Sequence, residues 1–219
     1  MSSREALLPS PGRGQYDRRL PRQQRLAEQR ERLLAATALT VAREASPSVS
    51  SIVRRAGVGR NTFYEYFDDV RHATEAAEAA VVRRIEQLLQ EAEATARTPV
   101  ERWRSLAHTW LSFAEDEPGA MLLAIGARGL GGVSKGAAAL EAALVRSLET
   151  LRSAGVTSPP ASPERMLAVA AVGEAFARAL GRARITTEDD SAPPPSRSEP
   201  VDRERLERSL VDVAVRLLR

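Results

Sequence analysis

The sequence predicts an all-α protein: a small three-helix unit near the N-terminus followed by a larger helical domain. Three observations carry that prediction. Hydrophobic residues make up 43% of the 219 residues and aromatics only 4%, so the core must be built from Leu, Val and Ala, the composition of closely packed helices. Apolar residues recur at steps of three and four, and no segment alternates with the period of two that a half-buried strand needs. Capping residues and prolines fall where that period starts and stops.

Residues 1–21 are rich in Pro, Gly, Ser and Arg without an apolar period, and read as a disordered basic arm. A first helix is expected over Arg22–Arg43, with Leu26, Leu33, Leu34, Ala38, Leu39 and Val41 near one face, until Glu44–Pro47 breaks it. Ser48 is placed to cap a short second helix over Val49–Arg55, because a serine oxygen accepts an otherwise unpaired first-turn N–H. Gly57 supplies a turn, and a third short helix follows over Arg60–Phe67. Asp68 or Asp69 then caps a long fourth helix that ends near Arg97.

Thr98, Pro99 and Glu101 form a helix-start signature for a fifth helix, closed by Glu117, Pro118 and Gly119. A sixth is expected around Ala120–Arg128, leading into a glycine-rich stretch over Gly126–Gly136. A seventh runs from about Ser134 to Ser153, stopped by Gly155, and an eighth from Ser162, Pro163 and Glu164 to about Arg184. Residues 186–200, acidic and then proline-rich, read as a flexible loop before a last helix over Val201–Leu218.

Composition also narrows the chemistry. The chain has no cysteine, which excludes disulfides, Cys-containing zinc sites and thiol catalysis. Its two histidines, His72 and His108, stand at unrelated places, and no acid and base are paired, so an enzyme is not expected and neither is a cofactor or metal. Lys135 does not fit the spacing of a phosphate-binding loop. With Arg4, Pro9, Pro11, Arg13 and Arg18 where a secretory signal needs an apolar run, and no span long enough for a bilayer, a cytoplasmic protein without membrane contact is expected.

Charge is unevenly spread. Residues 1–71 hold 13 basic and 8 acidic side chains, the rest 19 and 21. The first third is therefore basic. Lys135 is the only lysine, so positive charge is almost all guanidinium, whose planar fork matches phosphate and guanine edges. A GC-rich coding sequence is the better explanation of the Arg bias itself, but does not explain the asymmetry.

The string from Ser48 to Phe67 joins these features. Two short helices around a glycine turn, with Val49, Ile52, Val58, Phe63 and Phe67 to form a small core, have the layout of a DNA-reading helix pair. Its third helix offers Arg60, Asn61, Thr62, Tyr64 and Tyr66. Arg and Asn can make two hydrogen bonds to one base, while Thr and Tyr hydroxyls reach the backbone.

Through Val49, Ile52, Ala56-Gly57-Val58, Thr62-Phe63-Tyr64, Tyr66-Phe67 and Asp69 the string resembles the TetR/AcrR family of bacterial transcriptional regulators. The resemblance implies a helix-turn-helix DNA-binding domain over residues 22–71 and a helical dimerisation and ligand-binding domain over 72–219. It implies a homodimer on a near-palindromic operator in double-stranded DNA, acting as a repressor released by a small apolar or amphipathic effector. Arg60 and Asn61 then correspond to base readers, Thr62, Tyr64 and Tyr66 to phosphate or groove contacts, and Ser48 to a cap that also touches phosphate. The sequence departs from the family pattern in places. Gly59 replaces the usual Ser, Val53 the common Ala, and Val70 a phosphate-binding Lys for which Arg71 can substitute.

Each assignment has a plainer competitor. One of Tyr64 and Tyr66 can instead pack on the fourth helix, and Arg54 and Arg55 can form a solvated face. Ala170, Gly173 and Ala177 suit a close dimer contact or an intramolecular core. Trp103, Trp110, Phe113, Met121, Met166 and Phe176 are the bulky side chains able to line an effector pocket, or simply to pack the core. A helical adaptor that has lost sequence-specific DNA binding is the alternative to a regulator.

Overall fold

In the computed structural model the described residues are 22–96, 98–126, 135–153, 163–187 and 202–218. They form nine helices and no strand: α1 (Arg22–Arg43), α2 (Val49–Ala56), α3 (Arg60–Tyr64), α4 (Val70–Thr95), α5 (Pro99–Asp116), α6 (Pro118–Gly126), α7 (Lys135–Ser153), α8 (Pro163–Thr187) and α9 (Arg203–Leu218). The fold class is thus the all-α one. The basic arm, most of the glycine-rich stretch, Gly155, Ser162 and residues 188–200 lie outside the described residues.

The helix starts are local chemistry. Ser48 Oγ accepts the Ser51 N–H and Ser51 Oγ accepts the Ser48 N–H, a reciprocal cap for α2. Thr98 and Glu101 make the same exchange for α5, with Pro99 in its first turn. Asp69 Oδ1 accepts the His72 N–H at 2.7 Å and opens α4. Several boundaries differ from the sequence expectation. Helix α3 stops at Tyr64 rather than Phe67, because Tyr66 N–H bonds Phe63 O three residues back and the chain must leave the helix before the Asp69 cap. Helix α6 begins at Pro118 rather than Ala120; a first-turn proline has no N–H to lose, and Met121 N–H closes the turn on Glu117 O. Helix α8 continues past Arg184 to Thr187, so residues 186 and 187 of the expected loop are helical.

The chain divides into two compact units, the first reaching Val81 and the second running from Val82. The first unit holds α1, α2, α3 and the opening turns of α4. Leu33, Leu34, Ala38, Ile52, Ala56, Phe63, Phe67, Ala73, Ala77 and Val81 are buried in it. Val49 and Val58, expected in this core, are half-buried at its margin.

The second unit centres on α8, which packs on α5, α6, α7 and α9. Trp110 of α5 is fully buried and its indole Nε1–H donates to the Gly173 carbonyl of α8 at 2.8 Å. Gly173 is what lets the helices approach: a Cβ there would stand 2.6 Å from Leu140 Cδ2 of α7. Ala170, Gly173 and Ala177 are all buried inside the single chain, so the small-residue stripe serves the intramolecular core. Helix α9 is pinned to α5 by Arg203, which donates to Ser112 Oγ at 2.9 Å and pairs with Glu115 at 2.8 Å. No described helix is long and apolar enough to cross a membrane.

Candidate nucleic-acid interface

Gly57 sets the angle between α2 and α3. It adopts φ 65° and ψ 36°, the left-handed region open to glycine, and its N–H caps α2 on Val53 O. Val58 N–H reaches the same carbonyl at 3.1 Å. Gly59 then stands before α3 with extended backbone and no side-chain cap, as its replacement of Ser implies.

Helix α3 is amphipathic over a single turn and a half. Phe63 is fully buried and packs edge-on to Tyr64 and tilted against Phe67, ring centroids 5.5 and 5.6 Å apart. That anchor fixes the helix. Arg60, Asn61 and Tyr64 are exposed, Tyr64 at 56% of its surface, and Thr62 is half-buried. Of the two tyrosines it is therefore Tyr64 that projects from the unit.

Tyr66 is half-buried, and its hydroxyl donates to the Leu26 carbonyl of α1 at 3.0 Å. Burial, then the neighbouring Glu65 carboxylate, push its phenol above the usual 10.0, opposed by Arg30. Arg55 likewise turns inward, its Nε donating to Thr40 Oγ1 at 3.1 Å and its Nη2 lying 3.5 Å from Glu44 Oε1. Arg54 is exposed. Arg71 is exposed in the first turn of α4 and pairs with Glu75 at 2.8 Å. Ser48, though engaged in its cap, is on the surface.

One contact has no signal in the sequence pattern. Arg60 Nη2 donates to Ser50 Oγ at 3.1 Å, joining the start of α3 to the start of α2. Hydrophobic period and capping rules place both residues on the surface but do not pair them.

The bulky residues considered for an effector pocket divide. Trp110 and Phe113 line a narrow apolar cleft together with Ile85, Leu88, Leu89 and Thr109, with no room for a water molecule. Trp103 and Met121 are buried away from it in the core, and Phe176 is half-buried on α8. The Met166 side chain lies outside the described residues.

No protein-family model and no curated protein matches the sequence. Solved structures do match in fold. A candidate TetR-family transcriptional regulator from Rhodococcus sp. superposes with a TM-score of 0.65 at 16% identity, covering 88% of this chain and all of that one. The fatty acid degradation regulator FadR from Bacillus halodurans gives 0.61 at 12% identity over 87% and 94% of the two chains. A TetR-family transcriptional regulator from Streptomyces coelicolor gives 0.57 at 18% over 89% and 99%. Over nearly its whole length, then, the chain has the fold of TetR-family transcriptional regulators.

Proposed function

We propose that this protein is a TetR-like DNA-binding transcriptional regulator, a homodimer that reads a near-palindromic operator with α3 of each copy in the major groove. One observation carries the reading. Helix α3 buries Phe63 and leaves Arg60, Asn61 and Tyr64 exposed, the division a groove-reading helix needs between anchor and contacts. The fold shared with transcriptional regulators supports it.

In this reading Arg60 and Asn61 contact base edges, and Tyr64, Thr62, Ser48 and Arg71 contact the sugar-phosphate backbone. Tyr66 meets the groove through its ring edge, because its hydroxyl proton is held by Leu26. Regulation is by repression, released when an apolar or amphipathic effector favours a dimer whose two heads no longer match the operator spacing.

Selection of genomic fragments by the purified chain, followed by footprinting, tests the proposal. Two protected half-sites about one helical turn, ~34 Å, apart are expected. Binding that is weak, equal for all duplexes and without a footprint would favour the helical adaptor instead. A ligand that raises Tm yet leaves operator affinity unchanged would remove the release step.

A further inference from the structure

Three serines open α2, and its cap uses two of them. Ser48 and Ser51 exchange hydrogen bonds through their hydroxyls and main chain. Ser50 is outside that exchange, and its Oγ accepts from Arg60 Nη2 at 3.1 Å. Both residues are exposed on the unit that carries α3.

Arg60 opens α3 directly after Gly59, which provides no side-chain cap. A guanidinium on so long a stem samples many rotamers. By accepting one of its five N–H groups, Ser50 selects among them and leaves four to donate. Gly57, held left-handed by its cap, fixes the approach of α2 to α3 that brings the two side chains together.

We propose that Ser50 is a positioning residue that aims the Arg60 guanidinium at one base of each half-site and thereby sets the preference there. This rests on the reading of α3 as the groove helix. A guanidinium held in one plane presents two parallel N–H groups to O6 and N7 of guanine, an arrangement no other base pair offers in the major groove. The preference set is therefore for guanine. The alignment is made before DNA arrives, so its effect appears as discrimination and leaves the general attraction to phosphate untouched.

The test is selection from a randomised duplex library by the full chain, with affinities then measured on the selected duplex and on its single-base variants. Wild type is expected to prefer guanine at one position per half-site. Ser50→Ala lowers that preference by about three- to tenfold, the scale of one hydrogen bond, without changing affinity for unselected duplex. Ser50→Thr, which keeps the hydroxyl, restores it. In an Arg60→Ala background Ser50→Ala has no further effect. The proposal is overturned if Ser50→Ala leaves the preference at the wild-type level, or reduces it equally with Arg60 absent. Wild type that selects no sequence overturns the regulator reading and this proposal together; wild type that selects normally while Ser50→Ala is silent overturns this one alone.

Discussion

The Tyr66 hydroxyl donates a 3.0 Å hydrogen bond to the main-chain carbonyl of Leu26, forty residues earlier in the chain. The contact ties the turn after α3 to the opening of α1. Tyr66→Phe removes it while keeping the ring, and should destabilise the protein by about 0.5–1 kcal/mol. The raised phenol pKa adds a pH signature. The folded state holds the proton more tightly than the unfolded one, so this contribution is fully present below about pH 10 and is lost as pH rises through the folded value. Denaturant titrations at about pH 8 and about pH 11 should show the wild-type advantage over Tyr66→Phe shrinking at the higher pH. An advantage that grows would contradict the assignment.

Gly57 and Gly59 stand two positions apart and should respond to substitution with opposite sign. Gly57→Ala forces a Cβ into φ 65° and should cost about 1–2 kcal/mol. At Gly59 the backbone is extended and an added Cβ meets nothing within 4 Å. Gly59→Ser provides the missing cap and should stabilise by a few tenths of a kcal/mol, roughly the difference between Ser and Gly caps. Thermal melts of the two variants check both signs.

Gly173→Ala should destabilise despite the better helix propensity of alanine. The new Cβ would lie 2.6 Å from Leu140 Cδ2, and Leu140 is itself buried. Overpacking of this kind costs about 1–3 kcal/mol, against a propensity gain of about 1. A melt showing higher Tm for Gly173→Ala would mean that the α7–α8 crossing is looser than the geometry indicates.

Glu93 of α4 is buried and meets Arg146 of α7 through two hydrogen bonds, at 3.0 and 3.4 Å. Arg146→Met leaves the carboxylate without that guanidinium and should cost on the order of 1–3 kcal/mol. Replacing both residues, Glu93→Leu with Arg146→Met, should recover much of the loss, because no buried charge then remains. If the double variant is no more stable than Arg146→Met, the carboxylate left behind is not what destabilises that variant.

On DNA, Asn61→Ala and Tyr64→Ala should fail in different ways. Loss of a base-reading amide relaxes discrimination at one position by about 1–3 kcal/mol. Loss of the exposed Tyr64 phenol should weaken binding to all duplexes by a similar factor. Competition between the selected operator and its single-base variants separates the two patterns. Equal, salt-insensitive binding by wild type and both variants would count against α3 as the reading helix.

Much of this was legible in the sequence because it is local. The Ser48 cap, the Gly57 turn, the Thr98–Glu101 box and the bounds of α1 each depend on residues within a few positions of one another. The burial of Ile52, Phe63 and Phe67 follows from their spacing. Such signals also carry the likeness of residues 48–69 to the TetR/AcrR pattern.

What only the tertiary structure decided is which surfaces meet. A helical period says that one face of α8 is covered, not that Gly173 receives the Trp110 indole and sits against Leu140. It exposes Tyr64, Tyr66, Arg55 and Arg60 alike, and only packing turns Tyr66 to Leu26, Arg55 to Thr40 and Arg60 to Ser50. The physical reason is range. Capping and hydrophobic period act within a turn or two of the chain, whereas these partners are brought together only when separate helices close on a shared core.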